Sequence, residues 1–121
     1  MLNLAMSTGD AEECYYLVDG KKPGGALLGS QGEDRGVTSV SLVDRYLSTR
    51  IDLGLDGAAR VLRFPVVTVS MSEAGFEKSY QSSVIVPLWE VQLRPGERMI
   101  TRIEAAISVL QPAVEEIQDR G

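Results

Sequence analysis

Apolar residues concentrate in two runs near the middle of the chain, Ala59 to Met71 and Ser82 to Leu93. A polar segment with one glycine, Ser72 to Gln81, separates them. The pattern predicts a β-hairpin with a long loop. In a symmetric register Val69 meets Val84, Val67 meets Val86, Phe64 meets Trp89 and Leu62 meets Val91. Each of these four pairs is apolar, and such pairs are the unit of sheet stabilisation. The two-residue period of a strand puts Val67, Val69, Val84 and Val86 on one face near the loop. It puts Leu62, Phe64, Trp89, Val91 and Leu93 on the other face near the base. The buried face therefore switches at the level of Pro65 and Pro87. Proline is tolerated in strands mainly at edges and bulges, and a bulge there would carry the apolar set across.

Arg94-Pro95-Gly96-Glu97 reads as a turn, proline presetting φ and glycine supplying permissive geometry. Ile100, Ile103, Ile107 and Leu110 then recur at three- and four-residue spacing, which predicts an amphipathic helix over residues 98–110. Pro112 ends or kinks it, with Val114 and Ile117 in one more short helical segment. Entered through so short a turn, the helix should lie back on the hairpin, burying Trp89 against Phe64, Ile103 and Ile107.

Earlier in the chain the pattern is more broken. Residues 1–10 read as an N-terminal arm. Cys14 to Val18 is a short strand candidate ended by Asp19-Gly20. Residues 20–36 hold six glycines around Leu27 and Leu28 and read as a long glycine-rich loop. Val40, Val43, Leu47 and Ile51 keep helical spacing, whereas Leu47, Thr49, Ile51, Leu53 and Leu55 alternate as a strand does. A helix near Ser39 to Leu47 followed by a strand near Ser48 to Leu55 satisfies both, and Asp56-Gly57 then turns the chain. The expected fold is α+β, an antiparallel sheet of about four strands. Its long bent hairpin spans about residues 59–93, packed by a C-terminal helix over about residues 98–110, in a single domain of residues 1–121.

With 121 residues, 44% hydrophobic and 24% charged, the chain has the composition of an ordinary globular domain. A net charge of −5 gives no basic footprint, so neither nucleic acid nor an anionic membrane is expected as the main partner. No segment reads as a signal peptide or a membrane span, and a cytoplasmic location is the expectation.

Candidate chemistry is sparse. The chain has no histidine, which removes the usual general base and the commonest metal ligand. The single cysteine, Cys14, sits beside Tyr15 in an apolar strand and reads as a buried small hydrophobe, not a nucleophile. Glu12-Glu13 and Glu33-Asp34 lack calcium-loop spacing, and Gly20-Lys21-Lys22-Pro23-Gly24-Gly25 lacks the order of a phosphate-binding loop. No catalytic residue, metal or cofactor is expected. The expected role is a non-catalytic structural or interaction subunit, built like small components of phage tails and necks and virion-associated in that case. It would act as a homo-oligomer or with other protein subunits through Val67, Val69, Val84, Val86, Leu27 and Leu28. An acidic inhibitor or immunity-type protein, and a small-molecule-binding or histidine-free enzymatic domain, are the alternatives.

Overall fold

The computed structural model describes residues 1–73 and 75–110. All regular structure within them is strand: β1 (Leu2–Leu4), β2 (Cys14–Val18), β3 (Gly32–Asp44), β4 (Thr49–Ser72), β5 (Gly75–Leu88) and β6 (Glu104–Val109). They form one antiparallel sheet in the order β1-β5-β4-β3-β2, with β6 also paired to β4.

The 24-residue strand β4 organises the sheet. One edge carries β3. The other edge is shared, with β6 along Thr49–Gly54 and β5 along Arg60–Ser72, which leaves residues 55–59 unpaired with either. A bulge fills that gap. Ser39 of β3 pairs with Gly54 and Val37 with Ala58, so Leu55, Asp56 and Gly57 oppose Thr38 alone. Asp56 and Gly57 are both left-handed, with φ of 47° and 65°. Glycine adopts that region freely and aspartate more readily than most residues, so this dipeptide bends the strand here.

The bent sheet curls around a core that includes Tyr16, Val40, Leu42, Leu53, Val61 and Ile85. Residues 26–28 help close it. The amide of Tyr16 donates to the Ala26 carbonyl at 2.7 Å, and the amide of Leu28 donates to the Cys14 carbonyl at 3.1 Å, so this segment lines the free edge of β2. From β5, near the far end of the strand order, the Ser83 hydroxyl donates to the Leu28 carbonyl at 2.9 Å. Gly29 and Gly9 meet at the seam. A Cβ on either would come within 2.7 Å of the other's backbone, which only glycine avoids.

The α+β expectation is corrected: no helix forms among the described residues, and there are six strands, not four. Residues 39–47 lie in β3 and the turn after it. Four of the seven residues from Val37 to Val43 are β-branched, which favours the pleated conformation over a helix. The proposed helix over residues 98–110 is irregular chain followed by β6. Its isoleucine stripe covers nothing, Ile107 being 75% exposed. The unpaired edge of β4 at Thr49–Gly54 offers a ladder that a helix could not use, and Glu104–Val109 takes it. Pro112, Val114 and Ile117 lie outside the described residues.

The hairpin between the two central runs also has a different register. Met71 pairs with Phe76 and Phe64 with Val84, because most of the polar segment at 72–81 is strand and not loop. A bulge lies beside Pro65, where Val66 pairs with Ser82, Val67 pairs with Tyr80 and Gln81 is left over. The N-terminal arm contains β1 against β5, and residues 32–36 of the glycine-rich segment belong to β3. Trp89 is partly buried and follows β5 directly. It does not pair with Phe64, and no helix covers it.

Candidate functional site

Two charged side chains are drawn into the core. Arg63 is 2% exposed on β4, and its Nε donates to Asp34 Oδ2 on β3 at 2.6 Å. Its Nη1 donates to the Gly25 carbonyl at 3.2 Å, and the guanidinium lies 4.9 Å from the Tyr16 ring centre. Planarity lets one arginine make all these contacts, which an ammonium could not. Asp44 ends β3 fully buried. Its carboxylate accepts from the amides of Ser7 at 2.7 Å and Leu47 at 3.1 Å. Burial raises the pKa of Asp44, but the Ser7 and Leu47 amides outweigh it and hold the carboxyl below its ordinary value. These groups secure the scaffold.

Cys14 is buried, and its Sγ donates to Asp44 Oδ1 at 3.5 Å. Burial, then the hydrogen bond to Asp44 and its negative charge, push the thiol up to about 11. Almost no thiolate exists near neutral pH, so a colourimetric disulfide reagent at pH 8 should leave the native thiol unmodified and react fully in urea. Rapid labelling of the folded protein would contradict this environment.

Open chemistry gathers at the β4 bulge. Trp89 follows the last residue of β5, and its indole Nε1 donates to the Asp56 carbonyl at 3.2 Å, an acceptor that no ladder partner takes on this edge. The ring borders a shallow cleft of about 380 Å³ lined by Arg35, Ala59, Arg60, Leu88, Trp89 and Glu90. Glu33 sits beside it, accepting from Arg60 Nη1 at 3.3 Å and lying 3.8 Å from Arg35 Nη2. Among the described residues Glu90 has no cationic partner. A second cleft of about 320 Å³ opens at the same bulge, lined by residues that include Thr38, Asp56, Ile100, Arg102 and Glu104. The surface offers one fixed aromatic ring, forked donors and carboxylate acceptors. Among the described residues no three metal-ligating side chains come together.

The residues expected to form an interface do not share one surface. Val67 and Val69 lie on one face of a projecting ribbon with Met71, Phe76 and Tyr80, a face apolar but for Lys78 opposite Val69, and Val69 is 56% exposed. Thr68, Ser70, Glu77 and Ser79 alternate with them on the other face. Val84 and Leu28 are buried, Val86 pairs with Leu62, and Leu27 bridges Tyr15. The alternation of the ribbon is written in the sequence. The approach of Arg35, Arg60 and Glu90 to Trp89 is not, because residues from three separated stretches meet only through the register of β3, β4 and β5, in which Arg35 pairs with Arg60 and Arg60 with Leu88.

Residues 1–103 match the model of the family described as alpha-amylase/4-alpha-glucanotransferase, C-terminal. Over 57 residues the chain is 37% identical to alpha-amylase 1 of Dictyoglomus thermophilum, a stretch that is 47% of this chain and 8% of that relative. No solved structure matches. The family match corrects the readings as a non-catalytic structural or assembly subunit, as a viral component and as an inhibitor-type protein, and it ties the chain to an enzyme. The missing histidine misled that expectation. Glycosidic bonds are generally cleaved by paired carboxylates, so its absence says nothing against glycoside chemistry.

Proposed function

The chain belongs to the alpha-amylase/4-alpha-glucanotransferase C-terminal family, and from that premise we propose that it serves as the C-terminal β domain of an enzyme that hydrolyses or transfers α-linked glucans. The observation that carries this reading is the match over residues 1–103, which takes in β1 to β5 and the segment leading into β6. The identity to an alpha-amylase over 57 residues supports it independently. The fold suits such a role as a curled sheet, pinned by Arg63 and Asp44, that carries the bulge and its clefts on its surface.

The polypeptide that an antibody to this chain recognises in its source should act on soluble starch and maltoheptaose. Hydrolysis would appear as a rise in reducing ends, and transfer as a ladder of longer and shorter oligosaccharides with no such rise. A purified polypeptide that changes neither substrate would overturn the reading.

A further inference from the structure

We propose that the Trp89 cleft is a binding site for an α-linked glucan chain, with a glucose ring stacked on the indole and its hydroxyls held by Arg35, Arg60 and Glu90. The proposal rests on the family reading for its ligand class.

The indole is held in place before any ligand arrives. Its N–H is already spent on the Asp56 carbonyl and part of the ring packs on the core, so the cleft meets an aromatic surface and not a hydrogen-bond donor. A pre-positioned ring contributes contact area at little entropic cost. The cleft of about 380 Å³ falls at the lower end of ligand-site sizes, about 300–1,000 Å³.

Charge narrows the ligand. Arg35 and Arg60 are both balanced by Glu33 beside the cleft, and Glu90 on its rim adds a second anion, two cations to two anions, so the rim attracts neither a phosphate nor an ammonium preferentially. A purely apolar ligand would desolvate these groups and return no hydrogen bonds. A neutral molecule with an apolar face and a rim of hydroxyls satisfies both parts of the cleft. A pyranose ring is such a molecule, its C–H face lying on the indole while its hydroxyls donate to Glu90 and accept from the arginines. Nucleobases also stack on tryptophan, but they bring phosphates to a protein of net charge −5.

Trp89 is the chain's only tryptophan, so its emission reports on the cleft directly. Titrating the full chain with maltoheptaose should change that emission saturably, and the protein should be retarded in native gels containing soluble starch. Trp89→Ala should weaken retention about tenfold, the upper range for one aromatic contact. Trp89→Phe, which keeps a smaller ring, should retain binding and guards against loss of folding. Unchanged emission, or a folded Trp89→Ala protein retained like the wild type, would overturn the site. Equal binding of the β-linked cellohexaose would overturn its α-linked specificity. An enzyme active on starch whose Trp89 emission ignores maltoheptaose would sink the cleft alone. Saturable emission changes in a protein without glucan activity would sink only the enzymatic reading.

Discussion

Replacing Arg63 with alanine should lower the free energy of unfolding by about 3–5 kcal/mol, the usual cost of removing one partner from a buried ion pair. The wild-type guanidinium is enclosed, and its partner carboxylate on Asp34 has a side chain only 17% exposed. Without Arg63 that carboxylate keeps its desolvation cost and loses its cation, while the Gly25 carbonyl loses a donor and the Tyr16 ring loses the charge against its face. The space is already tight. A Cβ at Gly32 would collide with the guanidinium, so β3 carries a glycine where the arginine passes. Combining Arg63→Met with Asp34→Leu should recover much of the loss, because an apolar pair of similar size removes the stranded charge. Urea titration followed by Trp89 emission measures both. A loss below about 1 kcal/mol for the alanine variant would mean that Asp34 is solvated and the pair contributes little.

Asp44→Ala should cost about 2–3 kcal/mol, because it leaves the amides of Ser7 and Leu47 without their acceptor at about 1–3 kcal/mol for a buried amide and less for an exposed one. One carboxylate holds the N-terminal segment, closes the turn between β3 and β4 and accepts from Cys14, so three parts of the fold loosen together. The effect depends on pH with a definite sign. The folded pKa of Asp44 is depressed, so its ionisation stabilises the fold fully above the unfolded value of about 3.9. That stabilisation is lost as pH falls through the folded value. Asp19, held down chiefly by the Thr38 hydroxyl and neighbouring amides, acts in the same direction. So does Asp52, where burial raises the pKa but Ser41 and Arg50 outweigh it. The wild type therefore weakens in acid through several groups. The difference between wild type and Asp44→Ala isolates one of them, and it should shrink as pH falls below about 4. A difference that stays constant from neutral pH to acid would show that folding does not depress the carboxyl's pKa.

Much of the sheet was legible as strand-forming sequence, and the site was not. Cys14 to Val18 alternates and is bounded by Asp19-Gly20, and it forms β2 with those limits. The alternation from Leu47 to Leu55 marks the start of β4, and the two central apolar runs do pair as a hairpin. The depth of the hairpin was misjudged because its outer half is polar on one face and apolar on the other. A polar segment of that kind reads as loop unless the recurrence of Phe76 and Tyr80 on one face, with only Lys78 between them, is weighed.

Two helices were expected from three- and four-residue spacing, and neither forms. Isoleucine and valine at such spacing also satisfy a strand, since short apolar runs carry both periods at once. What resolves them is an unpaired sheet edge. β6 takes its conformation from the six residues of β4 that would otherwise lack partners on the edge away from β3, and those residues are 50 to 60 positions earlier in the chain. By itself, then, the sequence determined the extended stretches at Cys14–Val18, at the start of β4 and in the central hairpin, and the burial of its single cysteine. The tertiary structure alone decided the bend at Asp56-Gly57, the gap it leaves between β5 and β6, and the seating of Trp89 in that gap beside Arg35 and Arg60. The physical reason is that a strand's period is local, whereas a bulge acts by re-aiming everything on either side of it.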